Sequence, residues 1–496
     1  MDLLNIAYVW IGAAIGLAMG AMPGLTVTMT VVLVVSLTFG WDMMQALALI
    51  LGAFTGAVTG GSFSAITMNI PGTAAAVATT FDGYPLHKRG ETTTAIGTAL
   101  FVSLIGGVGG SLVLSILGPI LGNVALKFGS QEYFLITLWG LTLVSVLSKG
   151  AFLKGMIAAC IGLFVGMIGM DPITGLMRFT FDSPLLSSGV NFVVAMIGLF
   201  GMKEVFVQLG SKSGFHAELP SYQIRALIPK WSNIKKVAKV MCWSGPIGFV
   251  IGLLPGTGGD IGALTAYGVT KQVLKNPSRP LGEGAIEGIG ATETANNGAI
   301  GGAMATMLSL GIPGDSVTAV IMGSFYLHGL LPGPTFQVNH PQYFYPIVGF
   351  IIIGQIAACV LGVLGANLML RLLRFPRWFL IPFITVLCII GTYSLQNNIS
   401  DVLFMVCFGL VGYVFERAHY PVAPIILAII LGPIMETSLR QGLINTGSLQ
   451  AFAFSLVSRP LSLVFLVLLI ASFVLQTKLS RVELAPAGQA GGEKDP

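Results

Sequence analysis

Apolar runs of about twenty residues recur from one end of the chain to the other. They can be read at 4–40, 42–81, 93–122, 133–147, 150–170 and 189–209. They resume at 241–270, 281–325, 343–370, 379–394, 400–415, 421–437 and 460–476. Runs of that length span a bilayer as helices and are too long for barrel strands. Only 9% of the 496 residues are charged, against roughly 25% in a soluble domain whose surface must face water. A soluble enzyme with one anchor is thereby excluded, as is a disordered or fibrous chain. What remains is an all-α polytopic membrane protein of roughly 12–14 membrane segments.

A polar, basic stretch at 210–240, with Lys212, Arg225, Lys230, Lys235, Lys236 and Lys239, separates two halves that look alike. Ile15-Gly16, Gly20 and Pro23-Gly24 match Ile247-Gly248, Gly252 and Pro255-Gly256 at one offset of 232. Gly60-Gly61 and Ile70-Pro71-Gly72 match Gly301-Gly302 and Ile312-Pro313-Gly314 at a larger offset, so the second half carries an insertion, most simply within 272–297. Corresponding loops carry opposite charge bias. Lys88 and Arg89 face a base-free 331–340, Trp41-Asp42 faces Lys271, Lys275 and Arg279, and Lys127 alone faces Arg371, Arg374 and Arg377. Because basic loops stay cytoplasmic, opposite bias is what two repeats of inverted topology produce. The expected organisation is a first repeat at 1–209, a cytoplasmic linker at 210–240 and an inverted repeat at 241–437. A loop and an extra helix follow at 438–477, then a disordered tail at 478–496. Both 4–40 and 241–270 must then re-enter and return to their starting side, with the N-terminus outside and the C-terminus in the cytoplasm. The 438–459 segment falls outside despite Arg440 and Arg459.

Pro23-Gly24, Pro71-Gly72, Pro255-Gly256 and Pro313-Gly314 each interrupt an apolar run. Proline removes a backbone donor and glycine admits positive φ, so a helix should break at each pair. Exposed backbone at membrane depth is tolerated only inside protein or along a cavity, and transporters use such breaks to hold ions and anionic substrates. A plain kink or close packing is the alternative at any single pair. Four pairs related by a repeat point to a binding site. The substrate-facing candidates are Pro23, Gly24, Thr26, Ser62, Asn69, Pro71, Gly72, Thr73, Pro255, Gly256, Thr257, Gly258, Asn296, Asn297, Pro313, Gly314, Asp315 and Ser316. Asp260, Ser309 and Asp315 offer the hard oxygens a small cation such as Na⁺ prefers, and Asp260, Asp315 and Glu293 are costly carboxylates for a membrane interior. Helix capping is the competing role, above all for Asp315 and Thr73.

Other features point to no further chemistry. Gly256-Thr257-Gly258-Gly259 lacks the strand and the Lys-Ser/Thr of a phosphate loop. No catalytic constellation occurs, so an enzyme is not expected. The five cysteines stand singly with no CxxC spacing, which gives no metal or redox site and leaves no cofactor beyond a coupling ion. Lys and Arg exceed Asp and Glu by 25 to 20, read as loop charge rather than a nucleic-acid surface. Gly106-Gly107-Val108-Gly109-Gly110 reads as close helix packing, Glu436 with Arg440 as an i, i+4 pair, and Glu132, Lys203 and Glu204 as interfacial. The N-terminus lacks a basic n-region, so no cleaved signal peptide is expected.

Gly20-Ala21-Met22-Pro23-Gly24, Gly60-Gly61-Ser62 and Asn69-Ile70-Pro71-Gly72-Thr73 resemble the large membrane subunit of the bacterial tripartite tricarboxylate transporters. So do Gly169-Met170-Asp171-Pro172, Arg178-Phe179-Thr180-Phe181, Leu254-Pro255-Gly256-Thr257-Gly258, Gly311-Ile312-Pro313-Gly314-Asp315 and Gly432-Pro433-Ile434-Met435-Glu436. The resemblance spans nearly the whole chain. It implies a permease of the bacterial inner membrane that takes a carboxylate from a periplasmic solute-binding protein, beside a small membrane subunit of about four helices. It also implies uptake driven by an ion gradient, Na⁺ foremost, by alternating access without ATP hydrolysis. A stand-alone anion symporter and a channel are the alternatives within transport.

Overall fold

The computed structural model describes residues 2–22, 24–146, 152–210, 224–373 and 377–483. Pro23, Lys212, Arg374 and the tail beyond Glu483 lie outside the described residues. The first half runs α1 (Leu3–Ala21), α2 (Val27–Leu37), α3 (Met43–Met68), α4 (Val77–Lys88), α5 (Thr92–Ala125), α6 (Ser130–Val146) and α7 (Phe152–Gly166). A two-stranded antiparallel hairpin of β1 (Gly169–Met170) and β2 (Met177–Arg178) follows. After it come α8 (Pro184–Ser187), α9 (Phe192–Met196), a π turn at Ile197–Met202 and α10 (Lys203–Leu209). The second half runs α11 (Trp231–Leu253), α12 (Gly258–Val273), α13 (Ile286–Leu310), α14 (Ser316–Leu327), α15 (Phe336–Asn339), α16 (Pro341–Leu364) and α17 (Ala366–Leu372). It closes with α18 (Arg377–Gln396), α19 (Ile399–Arg417), α20 (Ala423–Thr446), α21 (Leu449–Ser458) and α22 (Pro460–Glu483).

Among the described residues, eight helices are long and apolar enough to cross a membrane by length and composition. The α21–α22 pair, bent by 90°, makes a ninth if it counts as one span. Four shorter apolar helices accompany them, Val27–Leu37 and Ser316–Leu327 included. The all-α polytopic class stands. Three boundaries differ from the sequence reading, one of them at α22, which runs to Glu483 and so past 478, where a disordered tail is expected. Helix α11 begins at Trp231, inside the stretch read as linker, because Val237 and Val240 bury one side while Lys235, Lys236 and Lys239 keep the other exposed. Residues 438–446, read as loop, continue α20.

The helices of the two halves correspond in order: α1–α2, α3–α4 and α5 against α11–α12, α13–α14 and α16. Their directions follow from glycine contacts. A Cβ on Gly12, Gly16 or Gly20 would fall 2.1–2.2 Å from the carbonyl oxygens of Leu49, Ala53 and Ala57 in turn, so α1 and α3 run parallel. Small residues four apart let the two backbones touch. Gly248 and Gly252 meet Ala295 and Ala299 in the same way, so α11 and α13 are parallel too. Two parallel helices joined by one short helix require that helix to turn back. The α1–α2 and α11–α12 pairs are therefore helical hairpins, the shape a re-entrant segment needs.

The repeats are inverted. Gly106 and Gly110 abut Thr294 and Gly298, which makes α5 parallel to α13. Phe63 and Ile66 near the end of α3 pack with Ala95, Ile96 and Ala99 at the start of α5, so these two are antiparallel. Hence α3 and α13 point in opposite directions. Gly107 against Gln355, Gly118 against Phe344 and Gly362 against Leu100 place α16 antiparallel to α5, its counterpart. The insertion read between 272 and 297 is the loop 274–285, which replaces the short 38–42 turn of the first repeat.

By contacts the chain divides into two compact units that cut across the sequence halves. One comprises residues 1–127 and 190–417, the other 128–189 and 418–496. The second holds α6, α7, the β hairpin and α20–α22. Within it Glu132, read as interfacial, is buried against Arg459 Nε (2.8 Å), Ser462 Oγ (2.5 Å) and the Gly129 amide (2.8 Å).

The glycine run on α5 separates two kinds of position. Gly106 has a carbonyl 2.3 Å from where a Cβ would stand, whereas Gly109 has nothing within 4 Å. Gly106→Ala should cost about 1–3 kcal/mol by overpacking, and Gly109→Ala should be neutral or stabilise by roughly 0.5–1 kcal/mol. Thermal unfolding of the detergent-solubilised chain checks this. Equal midpoints for the two variants would refute the packing assignment.

Candidate functional site

Each helix break falls at its Pro-Gly pair, and the four breaks converge. Helix α1 ends at Ala21 and α2 begins at Val27, with Gly24 between them at φ +91°. Helix α3 ends in a left-handed cap at Asn69 (φ 57°), and α13 ends in the same way at Gly311 (φ 71°). The following glycines fold back on the helical hairpins. A Cβ on Gly72 would stand 2.2 Å from the Gly20 carbonyl oxygen, and one on Gly314 would stand 2.7 Å from that of Gly252. Gly256 N–H donates to the Gly314 carbonyl at 2.7 Å, and Thr28 Oγ1 lies 2.9 Å from Ser316 Oγ. Helix α12 packs on the 3₁₀ turn Ala74–Ala76 that precedes α4. Gly24, Thr26 and Asn69 are exposed there, and Gly256, Asp260, Asp315 and Ser316 are half-buried.

The half-helix N-termini are not equivalent. Thr26 Oγ1 accepts from the Met29 amide at 3.1 Å and caps α2. Asp315 caps α14 through a capping box, its Oδ1 accepting from the Thr318 amide at 2.7 Å. Both ends have thus spent amides on their own side chains. Helix α12 has no side-chain cap, because the Thr257 hydroxyl turns back to the carbonyls of Ile251 and Leu254. The turn at Ala74–Ala76 also lacks one. An uncapped helix start presents free N–H groups to an anion.

Two buried polar atoms without partners lie at these uncapped ends: Thr73 Oγ1 and Asn296 Nδ2. Thr73 stands against Gly61, and the Asn296 carbonyl oxygen stands against Gly259. Buried polar atoms are almost always hydrogen-bonded, so an orphan asks for a ligand or water. Two carboxylates reach Gly258, which sits at φ +64°. The position of a Cβ there would be 3.0 Å from Asp260 Oδ1 and 3.5 Å from Asp315 Oδ2.

Other expected site residues are placed elsewhere. Ser62 Oγ bonds back to the Thr59 carbonyl, and Ser309 Oγ donates to Gly118 O on α5 at 2.9 Å, a contact across a helix crossing. Asn297 is engaged on both ends of its amide. Oδ1 accepts from Thr59 (3.2 Å) and Gln355 (3.3 Å), while Nδ2 donates to the Glu293 carbonyl (3.0 Å). Pro71, Pro255 and Pro313 act through the breaks they create. Among the described residues no group of three or more His, Cys, Asp and Glu side chains could hold a metal ion.

Sequence reading missed two features. Glu204 Oε1 and Gln208 Nε2 stand 3.5 and 3.7 Å from a Cβ on Gly24, so both cover the first break. Asp82 on α4 holds the second repeat's extra loop. Its Oδ1 accepts amides of Gly282 (2.9 Å), Gly284 (2.9 Å) and Ala285 (2.7 Å), and its Oδ2 accepts the Tyr267 hydroxyl (2.9 Å). The larger offset of the second motif was the available signal, since only an inserted loop needs such an anchor. Asp82→Ala leaves the buried amides of Gly284 and Ala285 unpaired at roughly 1–3 kcal/mol each. Hydrogen exchange and limited proteolysis should therefore rise at 274–285. Unchanged protection would show that the loop holds itself.

In the second unit, the Asp171–Phe181 run is clamped to α20. Asp171 Oδ2 accepts from Arg440 (2.6 Å), and Arg178 pairs with Glu436 (2.6 Å), which also meets Arg440 (3.2 Å). The amide of Thr174, then Arg440, hold the Asp171 carboxyl far below the usual carboxylate range. A depressed native pKa stabilises above the unfolded value near 3.9, and that stabilisation is lost as pH falls through the native value. The unfolding midpoint of Asp171→Asn should thus lie below wild type across neutral pH, the gap closing only in strong acid. A gap that closes near neutrality would contradict the clamp.

The sequence matches the Tripartite tricarboxylate transporter TctA family over residues 6–427. It is 33% identical over 482 residues to an Agrobacterium vitis protein described as "Uncharacterized 52.8 kDa protein in TAR-I ttuC' 3'region", covering 97% of this chain and 93% of that one. A second A. vitis protein, "Uncharacterized protein in TAR-II ttuC' 3'region", is 37% identical over 197 residues, 40% of this chain and 81% of the relative. No solved structure matches.

Proposed function

The chain belongs to the tripartite tricarboxylate transporter TctA family, and from that premise we propose that it is the permease that carries a tricarboxylate or related carboxylate inward by alternating access, coupled to Na⁺. The family makes it a multi-pass membrane component of a transporter. The observation that carries the finer reading is the convergence of four helix breaks on one place with two different electrostatic faces.

One face is electropositive. The start of α12, which its N-cap side chain leaves uncapped, the Asn296 amide and the Thr73 hydroxyl can meet a substrate carboxylate without a basic side chain. The other face is electronegative: Asp260 and Asp315 at Gly258 form the cation site. Cation and carboxylate then both sit at the first turn of α12, so each offsets the other's charge. This is the arrangement that lets one binding event favour the other. Gly256 and Ser316 are half-buried beside that turn, and Gly24, Thr26 and Asn69 are exposed at the first repeat's breaks.

The partners follow from the family: a periplasmic solute-binding protein that hands over the carboxylate, and a small membrane subunit of about four helices. The loop charges support an N-terminus in the periplasm and a C-terminus in the cytoplasm of an inner-membrane protein. Catalysis has no part in this reading.

Reconstitution tests it. Proteoliposomes with all three components should accumulate carboxylate under an inward Na⁺ gradient, and omission of the binding protein should abolish uptake. Asp260→Asn and Asp315→Asn should each lower the apparent affinity for Na⁺ by about tenfold or more, since even outer-shell changes at ion sites cost 10–100-fold. Both variants transporting with wild-type Na⁺ dependence would sink the cation site. Uptake by this chain alone would sink the tripartite reading.

A further inference from the structure

Below the breaks lies a buried carboxyl that neither the anion face nor the Asp260–Asp315 pair uses. Glu293, on α13, is completely buried. Its partners are hydroxyls from other elements: Thr79 Oγ1 of α4 lies 2.6 Å from Oε1, and Ser103 Oγ of α5 lies 3.1 Å from Oε2. The Thr292 hydroxyl stands 3.2 Å from that of Thr79. Asn297, one turn on, gives its amide to the Glu293 backbone carbonyl and none to the carboxyl.

Among the described residues no ion pair reaches this group, and its side-chain partners are the Thr79 and Ser103 hydroxyls; on α4, His87 is bonded to Thr92 and Lys88 lies over the Tyr84 ring. Helix α5 has no ionisable side chain along its length, and α3 offers only Thr59 nearby, bonded to Asn297. Helix α11 turns Lys235, Lys236 and Lys239 to its exposed side. On α4, Asp82 is taken by Tyr267 of α12 and by the inserted loop. Asp260 and Asp315 stand at Gly258, and Glu287, earlier on α13, is held by Ser278. Glu436 and Arg440 belong to the other unit.

An ionised carboxylate removed from water with no cation beside it is prohibitively costly, and such a group takes up a proton instead. Two hydroxyls do not replace a hydration shell. Among the described residues Glu293 belongs to no group of three or more His, Cys, Asp and Glu side chains that could hold a metal ion. The occupant that fits is a proton.

We propose that Glu293 is a proton-carrying site, so that the transporter moves a proton with its carboxylate in addition to the cation at Gly258. The inference rests on the transport reading above. The site is built to release its cargo: its partners come from α4 and α5, and α4 follows directly on the second break. When substrate reorganises the 70–76 segment, Thr79 moves with it and the carboxyl meets water. The carboxylate takes one proton from the medium on the substrate's entry side, crosses as the neutral acid, and gives that proton to water on the other side. No other bond changes.

Two measurements test this. Infrared spectra of the purified full chain should contain the carbonyl stretch of a protonated carboxylic acid at neutral pH, missing in Glu293→Gln. Thr79→Val, which keeps the carboxyl and removes its nearest partner, should shift the same band, and serves if the Gln variant does not fold. In proteoliposomes with the binding protein and small subunit, Na⁺ equal on both sides, an inward proton gradient should stimulate wild-type uptake, and Glu293→Gln should lose that stimulation. An acid band that depends on neither residue 293 nor residue 79 overturns the proposal, as does undiminished proton stimulation in Glu293→Gln. Wild-type uptake under a Na⁺ gradient with no response to protons overturns proton coupling alone. No uptake under either gradient overturns the transport reading and the inference together.

Discussion

A backbone broken inside a membrane protein must find its hydrogen bonds within the protein, because lipid offers none. Everything at the centre of this molecule depends on that constraint. The break at Gly256 is tolerated because its amide reaches the Gly314 carbonyl of another break. Breaks therefore stabilise one another, and they can do so only if they meet. Packing within each repeat provides part of the meeting, Gly72 on Gly20 and Gly314 on Gly252 in the helical hairpins, and the inverted repeats provide the rest, Ser316 against Thr28 and the Ala74–Ala76 turn against α12. The glycines that let α1 lie on α3, and α11 on α13, bring the backbones close enough for Gly72 and Gly314 to touch those hairpins.

Much of this was legible in the sequence, and for a physical reason. Proline and glycine inside an apolar run have few structural meanings, so the Pro-Gly pairs gave the positions of all four breaks. Opposite loop charges gave the inversion. What was not legible is how each polar residue spends its hydrogen bonds. Thr26, Thr257 and Asp315 sit at equivalent places beside breaks, yet one caps a neighbour, one bonds backward, and one caps while keeping an oxygen toward Gly258. Those outcomes turn on single torsions. Asn296 and Asn297 are adjacent in sequence and opposite in role, because a helix turns successive side chains about 100° apart.

Long-range partners were equally hidden. Nothing in the spacing links Asp82 to Gly284 or Glu293 to Ser103, since these contacts exist only after two repeats have folded together. The sequence did contain a trace of one of them. The second offset exceeds the first because the second repeat carries the loop at 274–285, and that loop needs an anchor which the first repeat's 38–42 turn does not. The position equivalent to Asp82 in the second repeat is Ser324, which faces no such loop.

The departures from symmetry are where the chemistry lies. A two-fold scaffold with identical halves would offer two equal sites and no preferred ligand. Here the first repeat places Thr28 where the second has Asp260, and Thr73 where the second has Asp315. The acids at the breaks are therefore confined to the second repeat, while the orphaned hydroxyl of Thr73 comes from the first. Pairing these halves brings Asp260 and Asp315 to Gly258, and Asn296 to Gly259, at the start of α12. In the proposed function the symmetric frame supplies the geometry of alternating access, and a few asymmetric substitutions supply the sites for ion and substrate.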